Sequence, residues 1–354
     1  MNSREQIQIA HPGVGQSSKV HPDFRKNFPP AVVASYVPIH YCFWDRYSER
    51  LERLQQECPH VNMGFNPNQD VNEVFKVEHK TRDVWGCLWH HPGGGIVGQV
   101  VEHPLDDWAK FKEWQVPSPD GIIADIREKA AARLDSDPNE AWHGGLDHNF
   151  VFLRLGDLRG FDNFMADVAE ENPMLYELRD MVVDYWCQIT KAHLDCGAVM
   201  VGAGDDLGMQ DRLPISPNAW RKLMKPAYSR IFGMTREHDA CFSLHTDGYI
   251  VDIIPDLIEI GLWQLNPQDT VNGLDNLARL AKGKVHIVLD IDRQHITAFG
   301  TPEEVDAHIK NCIQSLGSPD GGLDLCFGAY PGTPIENIEA VISAMENYHD
   351  MWWK

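Results

Sequence analysis

From residue 147 to the end of the chain, short apolar runs alternate with longer amphipathic ones, and this alternation limits the fold more than any other feature. "FVFLRL" (150–155), "AVMVG" (198–202), "CFSLH" (241–245), "LWQLN" (262–266), "VHIVLD" (285–290) and "GLDLCFG" (322–328) read as strands. Helical stretches separate them. Residues 162–197 read as two helices, broken before Pro173 and stopped by Gly197. The helical run 216–239 opens with Ser216 as N-cap and Pro217 at its first position. Residues 250–261 and 274–283 are helical, 301–317 carries a Thr301-x-x-Glu304 capping box, and 333–350 is the last helix. Strands joined by helices of this length build βαβ units and a parallel sheet. With strand-like "YVPIHYCF" (36–43) and "DVWGCLW" (83–89) upstream, the expectation is a single (β/α)8 TIM-type barrel with an N-terminal extension; an open doubly wound sheet ranks second. "GGG" at 93–95 lacks the strand and helix of a dinucleotide fingerprint.

A chain of 354 residues suits one large barrel. Residues 1–30 are polar and rich in Gly, Ser, Pro and His and read as a loosely ordered arm, which leaves 31–354 for the barrel. The first twenty residues hold no apolar block of signal-peptide type, and no run approaches a membrane span, so a cytoplasmic location is expected. Eight scattered cysteines without a C-x-x-C pair read as reduced thiols. Against 31 Lys plus Arg stand 52 Asp plus Glu, a formal charge of −21. Such a surface repels phosphate backbones and anionic lipid, so neither nucleic acid nor membrane is an expected partner. The adjacent tryptophans near the C-terminus read as a docked helix end, with a homodimer contact as the alternative.

Barrel active sites lie at the C-terminal ends of the strands. Those ends read Asp205, Asp206 and Gln210; His245 and Asp247; Asn266 and Gln268; Asp290, Asp292 and Arg293; then Cys326, Phe327 and Tyr330. Any one of these aspartates alone reads as a cap or turn residue; the row together reads as a functional mouth. His245 and Asp247, two residues apart on extended backbone before Gly248, point to one side. Such a pair binds a divalent metal or works as an acid/base couple, and spacing alone leaves both open. A third ligand would come from Asp206 or Cys326. Trp85 reads as a substrate wall or a packed core residue, and His148 as a loop residue of either role.

Four segments, 204–231, 244–267, 290–305 and 330–348, carry "GDDLGMQ", "HTDG", "DIDRQH" and "YPGTP" in an order that resembles the uroporphyrinogen decarboxylase superfamily. The likeness runs over roughly residues 30–354 and implies a (β/α)8 barrel. That superfamily performs either cofactor-free decarboxylation of a polyanionic porphyrinogen or methyl transfer involving corrinoid proteins. The decarboxylases' N-terminal R-Q-A-G-R clamp is missing here; the corresponding stretch offers only Arg46 and Arg50. The late family histidine falls on Phe327. The zinc set of the methyltransferase branch, H-x-C with a distant cysteine, becomes His245 and Asp247 with Phe327, and Cys326 lies one residue off, on the opposite face of a strand.

The resemblance therefore implies a methyltransferase that moves a methyl group from a small methoxy-aromatic or methylamine-type donor to a corrinoid (cobalamin) protein. His245, Asp247 and Asp206 would be its catalytic core. The same three, with Cys326, form the candidate zinc ligands, and Asn266, Asp292, Gln210, Trp85, His148 and Tyr330 the substrate wall. Without metal, His245 oriented by Asp247 would donate a proton instead. The runner-up is a cofactor-free decarboxylase or other lyase of a small carboxylic acid, with Arg154, Arg159 or Arg293 as its clamp. A non-catalytic tetrapyrrole binder would have a more apolar pocket.

Overall fold

The computed structural model describes residues 33–63, 77–94, 98–136 and 142–352. The arm expected over 1–30 lies outside the described residues. The described residues open with β1 (Ser35–Tyr36) and β2 (Val61–Asn62), linked by the helix Tyr41–Glu57. β3 (His79–Arg82), β4 (Leu88–His91) and β5 (Gln99–Glu102) follow as an antiparallel meander apart from the main sheet. β6 (Trp142–Gly145), β7 (Ala198–Gly204), β8 (Cys241–Thr246), β9 (Gln264–Pro267), β10 (His286–Asp290) and β11 (Leu323–Cys326) then alternate with helices. Eight strands, β1, β2 and β6–β11, pair in parallel in the order β2-β1-β11-β10-β9-β8-β7-β6. The fold is a TIM-type (β/α)8 barrel.

Side-chain alternation explains how the barrel presents a polar interior. Along β8, Phe242, Leu244 and Thr246 are buried, and Phe242 packs on Phe232 of the helix Lys225–Glu237 with ring centroids 4.5 Å apart. The intervening Ser243 and His245 turn inward and meet their β9 register partners: Ser243 Oγ donates to Gln264 Oε1 at 2.6 Å, and His245 Nδ1 lies 2.8 Å from Asn266 Oδ1. The helix ends follow the sequence. Ser216 accepts from Ala219 N ahead of Pro217, Asn172 caps the helix starting at Pro173, and Thr301 and Glu304 form the complete capping box. Among the described residues no helix is long and apolar enough to cross a membrane, and all eight cysteines are free.

Three expected strands fall elsewhere. "FVFLRL" is the helix Phe152–Arg159, because the carboxylate of Asp205 collects the N–H groups of Val151, Phe152 and Leu153 and starts a helix there. The barrel strand before it is "WHGG", whose two glycines gave no strand signal. "YVPIHYCF" contributes only Tyr36 to β1; the chain is helical from Tyr41, after His40 accepts from Cys42 N. "DVWGCLW" ends in β4, outside the barrel.

Candidate active site

The loops after β7, β8 and β9 are laced together by bonds from backbone N–H groups, two to backbone carbonyls and one to a side chain. Gly208 N donates to Asp247 O (3.1 Å), Tyr249 N to Met209 O (2.7 Å), and Gly248 N to Gln268 Oε1 (2.9 Å). Gly248 has φ +82°, and a Cβ there would sit 2.3 Å from the Gly208 backbone, so the two loops touch only because both positions are glycine. This lacing sets Asp206 beside Asp247, whose backbone N–H donates to Asp206 Oδ1 at 3.1 Å.

His245 stands at the centre. Asn266 Nδ2 donates to the Val288 carbonyl at 2.5 Å, so its Oδ1 is the atom offered to His245, and Nδ1 of the histidine must carry the proton. The lone pair of neutral His245 is then on Nε2. That atom lies 3.5 Å from Asp247 Oδ1 and 4.0 Å from Asp206 Oδ1. His148 closes the far side, with Nε2 3.5 Å from Asp206 Oδ1 and its ring centroid 5.3 Å from that of His245. Gly204 makes room for it, since a Cβ there would meet the His148 ring at 2.6 Å. Asp206 Oδ1 accepts from the Asp247 backbone N–H and Asp247 is paired with Arg293, but the His245 Nε2 lone pair faces both carboxylates without a donor of its own, so a cation or an added proton there would be stabilised. Donor atoms approach to within 4.8 Å in two sets, His148–Asp206–His245 and His245–Asp247–Asp290, which share His245. Imidazole and carboxylate donors of this kind suit zinc.

Among the described residues, Arg293 is the cation that reaches the mouth, and it is already engaged. Arg293 Nη2 bonds Asp247 Oδ1 at 3.1 Å and Asp290 Oδ2 at 2.8 Å, and its Cζ lies 5.4 Å from the centre of the half-exposed Tyr330 ring. Burial pushes the Asp290 carboxyl up to about 7, with Arg293 opposing and Asp247, Asp269 and Asp292 adding to the rise.

The structure brings His245, Asp247, Asp206, Asn266 and His148 together, with Tyr330 at the rim. It does not bring in the others. Asp292 accepts from Gln294 N, His295 N and Ile296 N, so it caps the short helix Ile296–Phe299 instead of facing substrate. Trp85, 3% exposed, is core: it meets Tyr185 edge-on at 4.7 Å, and the Arg154 guanidinium covers its ring at 5.0 Å. Gln210 is exposed on its loop, and among the described residues no bond ties it to the cluster. Cys326 is in register with Asp290, which puts both on one face of the sheet, contrary to the outward orientation expected of it. Burial, reinforced by Asp290, pushes its thiol up to about 12, and it belongs to neither donor set.

Arg154 and Arg159 are unavailable as clamps. Arg159 Nε bonds Asp167 at 2.7 Å, buried under Trp108. Arg154 is enclosed by Asp83 (3.2 Å), Asp147 (3.5 Å) and Asp157 (3.9 Å). Burial raises the Asp157 carboxyl to about 6, with Arg154 and Asn149 opposing. Between the ordinary carboxylate range and about 6, the folded chain therefore binds this proton more tightly than the unfolded chain, and stability falls as pH rises through that window. Asp157→Asn should remove that fall, leaving the variant ahead of its parent by about 1–3 kcal/mol at pH 7.5 relative to pH 4.5, read from urea midpoints. An unchanged pH slope would contradict it.

The polar row was legible as a mouth, but the pairing of Asp290 with Arg293 was not, because a strand-end Asp followed by Arg has no spacing of its own. Asp205 was legible only as one more strand-end carboxylate.

Fold and mouth together define an enzyme-type barrel. A family model, Uroporphyrinogen decarboxylase (URO-D), matches residues 151–348, and the chain belongs to that family. The uroporphyrinogen decarboxylase of Synechococcus sp. (strain CC9605) is 27% identical over 187 residues, 52% of this chain and 51% of that protein. The methylcobamide:CoM methyltransferase MtaA of Methanosarcina barkeri is 20% identical over 238 residues, 66% of this chain and 65% of the relative. The chain thus spans about half to two-thirds of the length of these curated relatives. A solved methyltransferase from Methanosarcina mazei shares the fold at a TM-score of 0.56 and 17% identity, over 75% of this chain and 76% of that one.

Proposed function

We propose that the protein transfers a methyl group from a small methylated compound, of the methoxy-aromatic or methylamine type, to a corrinoid protein. The observation that carries the reading is the His245 Nε2 lone pair, which faces Asp206 Oδ1 and Asp247 Oδ1 with no donor of its own, an arrangement that a bound cation or an added proton would relieve. Leaving-group activation needs that electrophile. His148, Asp206 and His245 would hold zinc, which supplies the pull on the departing oxygen or nitrogen. Asn266 fixes the His245 tautomer, and the Asp247–Arg293–Asp290 chain holds the opposite wall. Because Arg293 is shared by two carboxylates and Arg154 and Arg159 are buried in pairs, the mouth suits a neutral or cationic donor better than a polyanion. The likeness to a methylcobamide methyltransferase supports a corrinoid partner.

The test mixes the protein with reduced cobalamin and a panel of methoxy-aromatics and methylamines. A donor-dependent change from the Co(I) to the methyl-cobalt spectrum is expected. No change with any donor, together with CO2 release from a small acid, would replace this reading with the lyase one. That second reading is favoured by Arg293 alone, the one guanidinium that the β10 end delivers to the mouth.

A further inference from the structure

A second cluster forms where side chains from two elements meet. Asp269 opens the turn after β9 and is fully buried. His308 and Cys312 stand four residues apart, on one face of the helix Pro302–Leu316 that covers it. His308 Nε2 lies 2.6 Å from Asp269 Oδ2 and 3.6 Å from Cys312 Sγ, and Cys312 Sγ lies 4.0 Å from the same Asp269 oxygen. The imidazole is 13% exposed, so the cluster has one partly open side.

We propose that Asp269, His308 and Cys312 form a metal site for a thiophilic divalent ion such as zinc, independent of the methyl-transfer reading. Three donors of different type converge on one point: the His308–Cys312 separation of 3.6 Å matches the edge of a tetrahedral zinc shell with Zn–S about 2.3 Å and Zn–N about 2.0–2.1 Å, while the direct His308–Asp269 hydrogen bond at 2.6 Å would open and the Cys312–Asp269 separation of 4.0 Å would close by about half an ångström to admit the ion. Charge agrees. A carboxylate and a thiolate together cancel a divalent ion, so the filled site is neutral, as a buried site needs to be. Binding replaces the Cys312 S–H bond with an S–metal bond and releases that proton to solvent, while the proton shared by His308 Nε2 and Asp269 passes through solvent to His308 Nδ1, which leaves a neutral imidazole with Nε2 free to ligate. A fourth ligand, a water, would occupy the side where His308 is exposed. The His308-x-x-x-Cys312 spacing was the available sequence signal; the third ligand was not visible, because it comes from the preceding βα unit.

Cobalt(II) distinguishes this site from the mouth, whose sets hold only nitrogen and oxygen. Titrating the metal-stripped full chain with Co(II) should produce a near-ultraviolet thiolate-to-cobalt band. The band should vanish in Cys312→Ser, weaken at least tenfold in His308→Ala, and persist in His245→Ala. No such band in the parent protein, or an undiminished band in Cys312→Ser, overturns the proposal. Should Cys312→Ser fail to fold, as read by circular dichroism, Asp269→Asn and Cys312→Ala give the same comparison. Loss of methyl transfer in His245→Ala with the band intact leaves the two sites separate.

Discussion

His245→Ala should lower kcat/KM for methyl transfer by about 10³-fold while the protein still folds, since positioned acid/base or electrophilic groups contribute about 10²–10⁴-fold. The reasons are geometric. His245 belongs to both donor sets at the mouth, so its loss dismantles each at once. It is also bonded to Asn266 Oδ1 through Nδ1 while its Nε2 reaches Asp206 and Asp247. Its side chain is 28% exposed, so truncation opens a solvent-filled notch instead of a dry cavity, and stability should change by about 1 kcal/mol or less. Asp247→Asn is the informative companion. It keeps the loop lacing, which runs through the Asp247 backbone, yet frees Arg293 to pair with Asp290 alone. Its rate should fall less than that of His245→Ala, and anionic donors should gain relative to neutral ones. Activity within tenfold of the parent in purified His245→Ala would remove His245 from the chemistry and the proposed site with it.

How much of this could be read from residues differs between the two halves of the chain. From β7 onward, the strands are short apolar runs that end near polar residues, and the helices starting at Pro217 and Pro302 keep the Ser216 and Thr301 caps read from the sequence, so the local signals and the fold agree. Before β7 they conflict. "FVFLRL" has strand propensity and is a helix, because a carboxylate over fifty residues later captures its N–H groups. "WHGG" is a strand only because β7 lies beside it. The His245–Asp247 pair was legible because period-two spacing fixes a shared face whatever the tertiary context. Asp292 and Trp85 were misread because residue type does not tell a cap from a ligand, or a core tryptophan from a wall. Only bond partners do.

The largest stability effect should come from a residue beside the site, not in it. Asp205 is fully buried and accepts four hydrogen bonds, from Val151 N (2.8 Å), Phe152 N (2.6 Å), Leu153 N (2.8 Å) and Tyr228 OH (2.6 Å). Asp205→Ala strands all four donors out of reach of water, at about 1–3 kcal/mol each, which approaches the whole of an ordinary domain's 5–15 kcal/mol. The variant should be largely insoluble, or lose at least about 4 kcal/mol in urea. Asp205→Asn keeps one acceptor but turns an NH2 toward the donors, so it should cost about 2–3 kcal/mol. Tyr228→Phe removes a single bond and should cost about 1 kcal/mol. The order Ala, Asn, then Tyr228→Phe is the test, and an alanine variant within about 1 kcal/mol of the parent would sink it. The helix start that Asp205 holds follows directly on the loop carrying His148, and Phe150 N also donates to Gly204 O at 3.2 Å. Loosening it should therefore move His148 away from Asp206 and His245. In the folded Asp205→Asn variant, metal affinity at the mouth should drop while the thiolate–cobalt band of Cys312 stays, because no element of that second cluster rests on Asp205.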